Sequence, residues 1–257
     1  MSLLDGSVDD LRATLDASPE DAAALLRAGA EAGLPEAQAA YGQALLDGRG
    51  VVADAPAALG WFRRAAAGGD AMGMNMLGRC FEKGWGTAED RAEATRWYAR
   101  AAQAGLDWGM YNYGSALAMG AGAAKDEAAA LAWFQRAGAM GHAKSINFVG
   151  SFHEEGRVTA RDRAKAAECY RVAAEGGDYR AQFNHARLLA EDGLADEAVA
   201  WIESAAETAP AAFVQRMKAW CEAAPVPALK SVAERLSPLP EREGPGVGSR
   251  GAGASIS

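Results

Sequence analysis

Residue types able to do chemistry are few in this chain, and their spacing argues against a reaction centre. His142, His153 and His185 show no His-x-x-x-His or Cys/His ligand spacing, and His153 stands where other parts of the sequence place Leu or Phe. A structural zinc site needs three or four convergent ligands, so these read as hydrogen-bonded structural histidines. Cys80, Cys169 and Cys221 form an odd set without a Cys-x-x-Cys pair, the pattern of reduced packing thiols. No Gly-x-Ser-x-Gly elbow is present and no Ser/His/Asp set is suggested by spacing. Gly-x-Gly loops at 48, 84 and 120 resemble phosphate-binding turns, but an Asp opens each following helix and would repel an anion there. Glu82, Glu154 and Glu155 are spaced as a solvated face rather than as an acid/base pair. Neither a cofactor nor a metal is expected.

The elements that position these residues repeat. Trp61, Trp97 and Trp133 are 36 residues apart, as are Asp54, Asp90, Asp126 and Asp162. Gly42, Gly78, Gly114 and Gly150 keep the same step, as do the series from Gly48 and from Gly69. Coincident series at such a period mean stacked supersecondary units. Each unit reads as two helices. The first is rich in Ala, Gly and Met and ends at a Gly suited to the left-handed region. The second opens at the periodic Asp, whose carboxylate caps free N–H groups and suits the positive end of the helix dipole. Small residues at Ala58, Ala94, Ala130 and Ala166 then face bulky pairs such as Trp97/Tyr98.

The stretch "AEATRWYARAAQAGL", the Gly-x-Gly loop before Asp90 and the "N-x-L-G" of "NMLGRCFEKGWG" together resemble the Sel1-like repeat, a relative of the tetratricopeptide repeat, in its bacterial form. The resemblance covers residues 37–210 as five units: 37–70, 71–106, 107–142, 143–178 and a shortened 179–210. Residues 1–36 read as a degenerate capping unit in which Ser18 replaces the periodic Asp. Residues 211–236 read as capping helices, and 237–257, rich in Pro, Gly and Ser, as a disordered tail. Departures occur at Cys169, Val158 and Ala186, which replace a Trp and two Gly. The resemblance implies an all-α fold, a right-handed α-solenoid of antiparallel helix pairs whose first helices line a concave surface. Stacking is also required physically, because one unit cannot bury both helix faces alone.

Comparison between units separates two faces of the first helix. Positions 73, 77 and 81 keep packing types, which puts Tyr113 in the core. Three other positions vary across polar, basic and aromatic classes. They hold Met72, Trp108, Lys144 and Arg180, then Asn75, Tyr111, Asn147 and Phe183, then Arg79, Ser115, Ser151 and Arg187. A shared packing slot would not tolerate such variety, so these twelve are expected to line a groove that binds a protein or peptide partner, with Trp, Tyr and Arg as anchors. A formal charge of −8 with no basic run excludes a general nucleic-acid binder. No apolar stretch approaches the roughly 20 residues of a membrane span, and the N-terminus lacks the basic and apolar regions of a secretion signal. A cytoplasmic, monomeric, non-enzymatic adaptor is the expectation. The alternative is a hydrolase acting in the groove, as the wider family includes members described as acting on β-lactams, although those are cysteine-paired and secreted.

Overall fold

The computed structural model describes residues 18–236. Among them are thirteen α-helices and no strand. Helix α1 spans Pro19–Glu31. Five pairs follow: α2 (Pro35–Asp47) with α3 (Ala55–Ala67), α4 (Ala71–Lys83) with α5 (Arg91–Gln103), and α6 (Asp107–Met119) with α7 (Glu127–Ala139). Then come α8 (Ala143–Glu155) with α9 (Arg163–Glu175), α10 (Tyr179–Glu191) with α11 (Ala195–Thr208), and finally α12 (Ala211–Ala223) and α13 (Pro227–Arg235). The expected tail and most of the N-terminal capping unit's first half lie outside the described residues.

Local chemistry sets the helix starts. The carboxylates of Asp54, Asp90, Asp126 and Asp162 each accept a hydrogen bond from the backbone N–H three residues on, at 2.9, 2.9, 2.9 and 3.0 Å. Ser18 does the same for α1. First helices have caps of their own in Asp70, His142 and Asp178. Each of the first four first helices ends on a left-handed glycine, Gly48, Gly84, Gly120 or Gly156.

Packing locks small against large. A Cβ built on Gly78 would lie 2.6 Å from the ring of Tyr98, and Gly42, Gly114 and Gly150 meet Phe62, Phe134 and Tyr170 in the same way. Those rings are buried, as are Ala58, Ala94, Ala130 and Ala166 beside them. The neighbouring tryptophans stay half-buried, and the guanidinium groups of Arg64, Arg100 and Arg136 lie over Trp61, Trp97 and Trp133 at 4.5, 4.3 and 4.3 Å. Each second helix packs on the first helix of the next pair, and first helices also touch directly, α2 on α4, α4 on α6 and α8 on α10. Second helices make at most marginal contact with one another. The layer whose members approach more closely is the inside of the curve, so first helices form the inner wall.

Candidate functional site

The inner wall carries a groove of about 860 Å³ bounded by four successive first helices. Helix α2 contributes Glu36, Ala39, Ala40 and Gln43; α4 contributes Met72, Asn75, Met76, Arg79, Glu82 and Lys83, with its cap Asp70; α6 adds Trp108 and Asn112, and α8 adds Lys144. The groove follows α4 for most of its 13 residues, a length of about 18 Å at 1.5 Å per residue. Met72, Met76, Trp108 and the alanines of α2 supply its apolar lining, with Glu36, Asp70 and Lys144 towards the helix N-termini and Glu82 and Lys83 towards the C-terminus of α4.

Five of the twelve residues singled out in the sequence line this groove: Met72, Asn75, Arg79, Trp108 and Lys144. Met72 and Trp108 are 41% and 39% exposed, a large apolar area to leave in water. The Lys144 ammonium sits 4.7 Å from the centre of the Trp108 ring, and the Arg79 guanidinium 5.0 Å from that of Trp85. Asn75 is only 3% exposed, and its Oδ1 accepts a 2.8 Å bond from Asn112.

The other seven are placed differently. Tyr111 lies half-buried behind Trp108, 6.1 Å between ring centres, against His142, Phe134 and Phe148. Burial pushes its phenol above the ordinary value. Ser115 is half-buried beside it, and Ser151 bonds the carbonyl of Phe148 at 2.8 Å. Asn147 is buried and accepts from Asn184 at 2.9 Å. Arg180 is exposed over Tyr179. Arg187 pairs with Glu154 and, at 2.9 Å, with Glu191. Phe183 differs most from expectation: its ring lies 5.8 Å from Phe213 and 5.3 Å from Trp220, so the C-terminal helices cover it. Tyr113 packs on Trp133 at 5.6 Å.

Several lining residues were not singled out in the sequence. Positions 36, 39 and 43 are those of Met72, Asn75 and Arg79 one repeat earlier, so the same 36-residue step carried back to α2 finds them. Met76 and Asn112 stand four residues after Met72 and Trp108, the next turn of the same face.

Little around the groove has the marks of catalysis. Burial pushes the thiols of Cys80 and Cys221 up to about 11, and that of Cys169 upward, which keeps them protonated and poorly nucleophilic. His142 caps α8, its Nδ1 accepting from the Ser145 N–H at 3.3 Å, and burial lowers its pKa. Among the described residues no group of three or more His, Cys, Asp or Glu is arranged to hold a metal ion. None of the described helices is long and apolar enough to cross a membrane.

Similar folds have been solved. A Sel1 repeat protein from Oxalobacter formigenes superposes with a TM-score of 0.76 at 23% identity, over 90% of this chain and 97% of the other. A protective antigen of uropathogenic Escherichia coli with the SLR fold gives 0.69 at 24% identity, over 89% of this chain and 51% of the other. An immunity protein from Pseudomonas aeruginosa gives 0.55 at 13% identity, over 79% and 77%. At these identities the likeness is one of fold. No curated protein matches the chain in sequence. The Sel1 repeat profile does match, four times in tandem, at residues 35–70, 71–106, 109–142 and 143–178, spans that follow the pairs α2/α3 to α8/α9. With more than half its length in such units, the chain belongs to the Sel1 repeat family.

Proposed function

We propose that the chain is a non-enzymatic adaptor that holds a protein or peptide partner in the groove between α2 and α8. Sel1 repeats are in general protein–protein interaction modules, which sets the class. The observation that carries the reading is the exposure of Met72 and Trp108 on a rigid inner wall, with Lys144 and Arg79 held beside them. Large apolar and aromatic side chains held in place by packed helices lose little side-chain entropy on binding. Nothing among the described residues favours the hydrolase alternative. Three free thiols fit a reducing compartment, in keeping with a cytoplasmic site of action. The solenoid closes its own core within one chain, in keeping with a monomer.

Affinity capture from extracts of the native host tests the reading, comparing the natural chain with a Met72→Glu/Trp108→Ala variant. Both side chains are exposed, so the variant keeps its helical circular dichroism. A partner held by the natural chain and lost by the variant is the expected result. Equal retention by both would remove the groove from the account.

A further inference from the structure

Repeat symmetry gives the groove an internal standard. Glu82 near the end of α4 and Glu154 near the end of α8 occupy the same position, 72 residues apart. Each accepts a 2.8 Å bond at Oε2 from a buried phenol of the following helix, Tyr98 for Glu82 and Tyr170 for Glu154. There the likeness stops. The other oxygen of Glu154 is bonded by Arg187, which reaches over from α10. Arg187 stands 33 residues after Glu154, and 33 residues after Glu82 stands Ser115. Among the described residues no hydrogen bond joins Ser115 to Glu82, whose Oε1 has only the half-exposed Lys83 ammonium at 3.5 Å. The Glu82 side chain is accordingly 39% exposed against 22% for Glu154. A carboxylate sealed by a guanidinium in one repeat is open to the groove in the other.

The amides nearby add a second requirement. Asn75 is nine-tenths buried and lines the groove, yet among the described residues its Nδ2 donates to no acceptor and the Oδ1 of Asn112 accepts from no donor. Together the pair leaves one amide nitrogen and one amide oxygen without a partner, a donor group and an acceptor group that a main-chain amide can meet. The lining carries three cations and three anions: Arg79 lies over Trp85, Lys144 over Trp108 and Lys83 beside Glu82, while Asp70 caps α4 through the Gly73 N–H and Glu36 places a carboxylate at the opposite end from Glu82.

We propose that the groove recognises a basic, extended segment of its partner, seating an arginine side chain on Glu82 in the place that Arg187 takes on Glu154, with the segment's main chain against the Asn75–Asn112 pair. This rests on the groove reading above and adds to it the chemistry of the occupant. Arginine suits the position better than lysine, because a planar guanidinium donates several directed bonds to a fixed carboxylate and stacks on its surroundings.

Fluorescence polarisation on the full chain tests this, using fluorescein-labelled hexapeptide pools that fix Arg, Ala or Glu at one internal position and randomise the rest. The Arg pool is expected to bind tightest. Glu82→Gln keeps an acceptor for Tyr98 and is expected to weaken the Arg pool about tenfold or more, the scale of a lost charge-assisted bond, while Glu154→Gln leaves its binding unchanged. Ser115→Arg is expected to seat its own guanidinium on Glu82, abolishing Arg-pool binding and raising the thermal midpoint, and this rise should vanish in the Glu82→Gln background. An Arg pool no tighter than the Glu pool, no binding by any pool, an unaffected Glu82→Gln, or Ser115→Arg without the Glu82-dependent rise would each overturn the proposal. Met72→Glu distinguishes its failure from that of the groove itself. If Met72→Glu abolishes binding and Glu82→Gln does not, the groove stands and the basic specificity falls; if Met72→Glu also changes nothing, both fall.

Discussion

The side-chain amide of Asn112 donates to Oδ1 of Asn75 across the seam between α6 and α4, 37 residues back, and Asn184 repeats the bond to Asn147 between α10 and α8. In the seam between them the same two positions hold an aromatic pair, Tyr111 with Phe148 at 6.0 Å, and after them Phe183 packs at 5.3 Å on Trp220, which stands four residues beyond the equivalent position on α12. The Glu82–Tyr98 and Glu154–Tyr170 bonds follow the same rule, since the intervening repeat has Ala118 and Phe134 instead. Helix packing thus repeats every 36 residues, whereas the polar contacts of the inner wall repeat every 72.

Removing one member of an amide pair strands the other. Asn112→Leu leaves the buried Oδ1 of Asn75 without its donor and is expected to cost about 1–3 kcal/mol, whereas Asn75→Leu/Asn112→Leu together, which removes both polar groups, costs less than the sum of Asn75→Leu and Asn112→Leu alone. Urea unfolding of the four members of the double-mutant cycle checks this.

The small-against-large lock makes a methyl group intolerable at Gly78. A Cβ there meets the Tyr98 ring at 2.6 and 2.7 Å and the Ala94 carbonyl at 3.1 Å, and the backbone carbonyl has little room to give. Gly78→Ala should destabilise by about 1–3 kcal/mol through overpacking despite the better helix propensity of alanine. A lowered thermal midpoint, with hydrogen exchange rising first in α4 and α5, is the expected signature in a stack held by neighbour contacts.

Val158 occupies the loop position held by Gly50, Gly86 and Gly122 in earlier repeats, and it keeps the left-handed φ of 64°. A β-branched residue is strained in that region. Val158→Gly is therefore expected to raise stability by about 1 kcal/mol, read as a higher urea midpoint with unchanged slope.

His142 caps α8 only while neutral, because the imidazolium cannot accept from the Ser145 N–H. Burial lowers its pKa and that of His185, with the charges of Asp107, Lys144 and Asp178 facing His142. Both groups therefore take up protons more readily unfolded. The stability they contribute is fully present above the unfolded value of about 6.5 and is lost as pH falls through the lower folded values. Thermal midpoints between pH 8 and 5 should fall with acidification. His142→Asp, which restores the cap used at Asp70 and Asp178, should flatten part of that slope.

The helix pairs and their caps were legible in the sequence because their determinants are local: an Asp caps the N–H three residues on, and a Gly faces a ring within its own pair. The wall was legible as a face and less so as a groove. The amide pairs join residues 37 apart, one beyond the repeat, an offset set by the stagger of neighbouring first helices that no comparison at fixed step reveals. Phe183 fits the varying stripe, but its neighbours belong to α12, which lies outside the periodic units and so left no mark in them. Arg187 reads as an exposed anchor by type, and only the position of Glu154 on the adjacent helix shows it to be engaged internally.

The cover that α12 and α13 place over the last pair also bears on how molecules meet. Phe213 and Trp220 occupy the apolar surface onto which another repeat would stack, and Val214, Met217, Leu229 and Val232 are sealed beneath. That surface of the last pair is thus taken up within the chain, and the helix pair of a second molecule would find no open apolar face on α10 there.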